Sequence, residues 1–159
     1  MSGFVYVVRL TQTAITAAKT LLQIKAGAAP IELVEVLVAQ VTKTASELLE
    51  IQLVQYTGSP TAGTVTAFAP LPLNPSAPAA LAVSGTAATG VNATAEPSGG
   101  TANIIGGGVF NVLNGEWLRI PVPEGREAAA QTKLLTLKLA TAPAASMTFI
   151  AYAKFIEYQ

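Results

Sequence analysis

Residues 146–158 read SMTFIAYAKFIEY, and the alternation inside them decides the fold class. Met147, Phe149, Ala151 and Ala153 fall on one side, with Thr148, Ile150, Tyr152 and Lys154 on the other. That period of two is the signature of a β-strand. Working back along the chain, the same period recurs. TKLLTLKLAT (132–141) sets Leu135, Leu137 and Leu139 against Thr136 and Lys138. GEWLRIPV (115–122) sets Trp117, Arg119 and Pro121 against Leu118 and Ile120. GFVYVVRL (3–10) puts Phe4, Tyr6, Val8 and Leu10 on one face and Val5, Val7 and Arg9 on the other. Its two faces are both apolar, so cover on both sides is expected.

KTLLQIKA (19–26) alternates Leu22 and Ile24 with Gln23 and Lys25; the preceding TQTAITAA (11–18) fits a helical turn or more strand. IELVEVLVAQVT (31–42) is compatible with helical spacing, but its β-branched content favours strand. ELLEIQLVQYTG (47–58) alternates Leu49, Ile51 and Leu53 with Glu50, Gln52 and Val54. These two runs, with a turn around Thr44–Ser46 between them, are expected to be antiparallel neighbours. A further turn is expected at Glu124–Gly125. About eight strands with long crossings predict an all-β, antiparallel two-sheet sandwich of the jelly-roll or Greek-key type.

Residues 58–100 are the part richest in Pro, Gly and Ala. Pro70, Pro72, Pro75 and Pro78 cannot occupy central-strand positions, so Ala69–Ala80 is expected to be a loop or an edge excursion. A linker between two domains is the competing reading, but neither side alone has strands enough to close a core. One sandwich domain over residues 1–159, with a long connection at about 57–108, is therefore expected. A chain of 159 residues can bury roughly 70% of its extended surface.

Composition excludes much chemistry. There is no Cys and no His, which removes disulfides, thiolate nucleophiles and imidazole bases. Nine basic and nine acidic residues balance to zero, and charged residues are 11% of the chain, against about 25% in typical soluble domains. No basic stripe is present for nucleic acid. No stretch approaches the ~20 apolar residues that span a bilayer, so neither nucleic acid nor membrane is expected as a partner. The first ten residues lack a basic n-region, and Arg9 interrupts the apolar run, so no export signal is expected.

The glycine clusters in EPSGGTANIIGGGVFNVLNGEWLRI (96–120) invite a phosphate-loop reading. A P-loop needs Lys and Ser/Thr directly after its last glycine, whereas Val109, Phe110 and Asn111 follow Gly106–Gly108. A turn or bulge, or a close backbone approach, is the better account. The pairs Glu32/Glu35, Glu47/Glu50 and Glu124/Glu127 are each three apart. In a regular strand that spacing divides them between faces, which spoils a shared acid–base site. They also lack the Asp or Asn clustering of a calcium loop. Arg119, Glu124 and Arg126 fit a solvated rim, and Trp117 fits core or subunit contact better than a sugar platform. No catalytic residue, cofactor site or metal site is expected, and so no enzyme.

TAITAAKTLLQIKAGAAPIELVEVLVAQVTKTASELLEIQLVQYTGSPTAGTVTAFAPLPLNPSAPAA, from Thr13, resembles small tailed-bacteriophage virion proteins of the capsid decoration, or cement, type. The features that carry the likeness are the AAKTLLQIKA strand, the strand pair after it, the TGSPTAGT…PLPLNP loop and the closing MTFIAYAKFIEY strand. It covers residues 13–83 well and the last strands loosely. The resemblance implies a jelly-roll domain, made in the host cytoplasm, that forms homotrimers on the outer surface of an icosahedral head. There it would clamp neighbouring copies of the major capsid protein. The long Gly/Ala-rich stretch at Val83–Gly108 departs from that pattern, which keeps a tail- or fibre-associated protein in view. A carbohydrate-binding sandwich is the other alternative. Phe68–Ala80 or the N-terminal segment is the expected capsid contact, with Phe68, Pro70, Leu71, Pro72, Leu73 and Pro75 as its candidate residues.

Overall fold

The computed structural model describes residues 3–41, 46–112, 118–121, 128–129 and 133–159, with the backbone alone for 118–121 and 128–129. Among these residues twelve strands form two antiparallel sheets. In chain order they are β1 (Gly3–Ile15), β2 (Lys19–Lys25), β3 (Ile31–Gln40), β4 (Leu48–Thr57), β5 (Thr64–Ala67) and β6 (Leu71–Pro72). They continue as β7 (Gly90–Ala95), β8 (Thr101–Asn111), β9 (Leu118–Pro121), β10 (Ala128–Ala129), β11 (Leu134–Leu139) and β12 (Met147–Tyr158).

One sheet, sheet A, runs β10-β3-β12-β1-β6, and β9 also pairs with β3; the other, sheet B, runs β5-β7-β2-β11-β4-β8. Without the additions this leaves β9-β3-β12-β1 facing β2-β11-β4-β8. Those eight strands wrap as a jelly roll, and β5, β6 and β7 lie within the long β4–β8 connection. The expected fold class is the observed one.

The core lies where the two inner faces meet. β12 alternates buried and half-buried along its whole length, sending Met147, Phe149, Ala151, Ala153 and Phe155 inward. Tyr6 stacks on Phe155 with ring centroids 5.8 Å apart. From sheet B, Leu49, Ile51 and Leu53 of β4 and Leu135, Leu137 and Leu139 of β11 close the other side. Each such side chain contributes about 1.5–3 kcal/mol on leaving water.

Irregular points in the ladders settle or correct several expectations. TQTAITAA continues as strand: β1 reaches Ile15, with a register shift against β12 between Leu10 and Thr13. β3 and β4 are not neighbours: β3 pairs with β12, β9 and β10, and β4 with β11 and β8. Tight-turn logic joins adjacent strands through two to five residues. Here β3 belongs to sheet A and β4 to sheet B, and stacked sheets lie ~10 Å apart, so the two strands are not partners across a tight turn. The turns expected around Thr44–Ser46 and at Glu124–Gly125 lie largely or wholly outside the described residues.

Glu32 and Glu35 are the second correction. Their partners on β12 are Ile156 and Lys154, which share a face, because Val34 is an extra residue in the ladder. The bulge therefore puts both carboxylates on the outer face of sheet A, where regular spacing would have divided them.

Candidate interaction surface

The proline-rich segment pairs with sheet A only at its edge, as its prolines require. β6 pairs Leu71 with Val7 and Pro72 with Tyr6, and the Leu73 N–H donates to the Val5 carbonyl at 2.9 Å. Beyond it Asn74 forms a turn: its side-chain oxygen accepts from the Ser76 N–H, and its carbonyl accepts from the Ala77 N–H, both at 2.9 Å. An asparagine side chain standing in for backbone is a recurrent turn device.

Tyr6 and Glu157 of sheet A, with Gln159 just past β12, then hold the segment down. The Tyr6 hydroxyl donates to the Pro78 carbonyl at 2.9 Å. The Gln159 side-chain amide donates to the Ala79 carbonyl at 3.3 Å. The Glu157 carboxylate, fully buried, accepts from the Leu81 and Ala82 N–H groups, each at 2.7 Å. Two charge-assisted bonds from backbone are what make a carboxylate tolerable there. Burial and the charge of Glu157 both push the Tyr6 hydroxyl above its ordinary pKa, and its bond with Gln159 opposes them. Val83 finally donates to the Lys25 carbonyl at 3.1 Å.

A long stretch of chain without strands of any length is thus fixed in place, and it presents apolar side chains outward. Leu71, Leu73, Leu81 and Val83 are exposed by 44 to 54%. Leu81 and Val83 line a groove of about 570 Å³ together with Pro70, Pro72, Pro78 and neighbouring alanines, whereas Leu71 and Leu73 lie outside its lining. Of the six residues expected to make contact, Leu71, Leu73 and Pro75 are exposed and Pro72 is half-exposed. Pro70 is buried, and Phe68 packs against the main core. The last two therefore support the surface from beneath. Leu81, Val83 and the anchor Glu157 escaped sequence reading. Glu157 could have been found, because it continues the inward series Phe149, Ala151, Ala153, Phe155 with a charge.

A second cleft, of about 600 Å³, lies on the outer face of sheet A where β1 bulges. Val7, Arg9, Gln12, Ile150, Tyr152 and Lys154 line it. The Lys154 ammonium sits 5.2 Å from the Tyr152 ring centre and 2.8 Å from a Glu35 oxygen. Both faces of β1 are apolar, but the outer one is only half-buried among the described residues.

The glycine clusters have separate tasks. Gly99 and Gly100, with φ of 68° and 63°, make the turn from β7 into β8. Gly106–Gly108 lie inside β8 rather than in a turn, next to a bulge at Ile105. A Cβ on Gly107 would come 2.4 Å from the Ile51 carbonyl oxygen, so close backbone approach explains that glycine.

Four further carboxylates among the described residues serve local structure. Glu35 pairs with Lys154, Glu32 accepts from the Tyr158 hydroxyl, Glu47 accepts from the Ala144 N–H, and Glu50 accepts from the Gln52 amide. Among the described residues no three His, Cys, Asp or Glu side chains are grouped to hold a metal, and no helix is long and apolar enough to cross a membrane. Trp117, Glu124, Arg126 and Glu127 lie outside the described residues, and of Arg119 only the backbone is described, in β9.

Comparison with protein-family profiles, curated proteins and solved structures gives no match. The functional reading rests on the fold and these surfaces.

Proposed function

We propose that the chain is a structural virion protein: a cement protein that binds the outside of an icosahedral phage head and braces contacts between copies of the major capsid protein. It acts as a homotrimer without cofactor, and needs neither nucleic acid nor membrane. The observation that carries the reading is the anchored apolar segment Pro70–Val83. Exposed leucines on a mobile loop would lose entropy on docking. Here hydrogen bonds to Val5, Tyr6, Lys25, Glu157 and Gln159 have already ordered the segment, and prolines restrict it in the free chain. Such a surface suits durable attachment to protein and calls for no chemistry.

The test uses heads of the phage that carries this gene, assembled without the protein. Wild type is expected to saturate them. Leu71→Ser with Leu73→Ser removes two exposed side chains of about 1.5–3 kcal/mol each when buried, and affinity should fall at least about tenfold. Unchanged occupancy would remove the segment from the contact, and no binding by wild type would sink the shell reading. Binding at the tail instead would support a tail- or fibre-associated role.

A second reading, a carbohydrate-binding sandwich, is favoured by one observation. Tyr152 lies in a cleft with Arg9 and Gln12, an aromatic face beside polar donors. Glycan-array binding abolished by Tyr152→Ala would move weight to it.

A further inference from the structure

β8 closes one side of sheet B, and among the described residues no strand pairs with its outer edge. In an antiparallel ladder every second residue of such a strand turns its N–H and C=O away from its neighbour. Those groups meet water or another strand. The other outer strands offer little room: β5 has 4 residues, β6 and β10 have 2 each, and β9 has 4. β8 has 11, and none of them is charged or proline. Charge and proline are the usual means by which an edge is kept from pairing.

The side chains supply an independent observation. Leu48, Ile104 and Val109, at 65, 63 and 61% exposure, are the most exposed large apolar residues among those described. The β4–β8 register puts all three on the outer face of sheet B, since Ile104 opposes Val54, Val109 opposes Glu50, and Leu48 opposes Asn111. Ile104 and Val109 are five apart and share that face only because Ile105 is an extra residue between them.

That bulge makes the strand complementary to itself. Set a second β8 antiparallel to the first, with Ile104 of one copy facing Val109 of the other. Asn103 then faces Phe110, and Ala102 faces Asn111, outer residues against outer and inner against inner. The symmetry axis falls between Gly106 and Gly107. Faces disagree at that one place, and neither residue has a side chain to misplace.

We propose that β8 pairs with β8 of a second copy of this chain across a two-fold axis, joining the two B sheets into one. No like charges meet across it, and the chain's zero net charge adds no repulsion. The contact is independent of the shell reading. A three-fold assembly would use other surfaces, so strand pairing doubles whatever mass the protein otherwise has.

The experiment is light scattering after size exclusion, at micromolar concentration, on the full chain and on Ile104→Lys with Val109→Lys. Both positions are exposed, and unchanged far-UV dichroism checks that the variant folds. The wild-type mass is expected to be an even multiple of 16.3 kDa and the variant's half of it. A wild type of one or three chains overturns the pairing, as does a variant of undiminished mass. Hydrogen exchange on wild type alone gives a second reading. Slow exchange along the whole of β8 is expected, and fast exchange at alternate residues contradicts the proposal. Protection that appears only when phage heads are added would give the edge to a foreign strand and overturn it too.

Discussion

β12 and β8 are nearly equal in length, at 12 and 11 residues, and both run antiparallel to their neighbours, yet they do opposite things. β12 has β1 on one side and β3 on the other, and every second side chain is buried. Among the described residues β8 has one neighbour, and it shows most of its length to solvent. Strand character is common to both; what separates them is how many surfaces must be satisfied. A strand paired on both edges and packed on the core is fixed by its inward residues. A strand with one open edge is fixed by its partner, and it keeps backbone groups available for another.

The largest expected effect tests that contrast directly. Phe149→Ala empties a fully buried site on β12 and should cost about 3–5 kcal/mol, read as a lower urea midpoint with unchanged slope. Val109→Ala on β8 should stay within about 0.5 kcal/mol under conditions where the chain is dispersed. Comparable losses at the two sites would mean that β8 is as deeply committed to the fold as β12.

Glu157→Ala comes next. It ends the series of inward residues on β12 and deprives two backbone N–H groups of a charged acceptor. Hydrogen bonds to charged groups contribute about 1.5–3 kcal/mol, and a loss of that order is expected. The amides of Leu81 and Ala82 should then exchange faster while those of β12 do not. Uniform acceleration would show instead that Glu157 supports the sheet rather than the proline-rich segment.

Gly107→Ala sharpens the β8 side. Its Cβ would press on the Ile51 carbonyl, and relief requires β8 to shift from β4. Strain of about 1–3 kcal/mol is expected, as for other overpacked sites. A neutral substitution would mean that β8 gives way easily at its glycines.

The same contrast explains what could be read from the chain before its structure. β12, β11 and β4 were legible because an inner and an outer face leave a period of two. β8 was not: Ile104, Ile105 and three glycines carry no such period, since an edge strand with a bulge has no single buried face. Bulges also defeated the reasoning about Glu32 and Glu35, because one extra residue reverses the parity on which it relied. The pairing of β3 with β12 joins residues more than a hundred positions apart, and no local pattern encodes it. In the proline-rich segment the prolines announced an edge excursion correctly. The bonds that hold it come from Tyr6, Glu157 and Gln159, at the two ends of the chain, so its anchoring could not be seen locally.

The smallest expected effect concerns pH. Tyr6 on β1, next to β12, is completely buried, and burial together with the Glu157 charge raises its hydroxyl above the ordinary value of 10.0. Tyr56 is raised as well, chiefly by burial, with Lys138 opposing and Glu96 adding. A raised pKa on an acid means that the folded chain holds its proton after the unfolded chain has lost it. The contribution is therefore complete below about pH 10 and is lost as pH rises through the folded value. Stability should be level across the neutral range with respect to these groups and fall beyond pH 10. Tyr6→Phe gives up the bond to Pro78, at about 1 kcal/mol in neutral solution, and should flatten the alkaline fall. Tyr56 receives no bond from the proline-rich segment, so Tyr56→Phe should flatten the fall without loosening that segment. If Tyr6→Phe left the alkaline limb as steep as in wild type, ionisation of Tyr6 would not be what opens the β1–β12 side of the molecule.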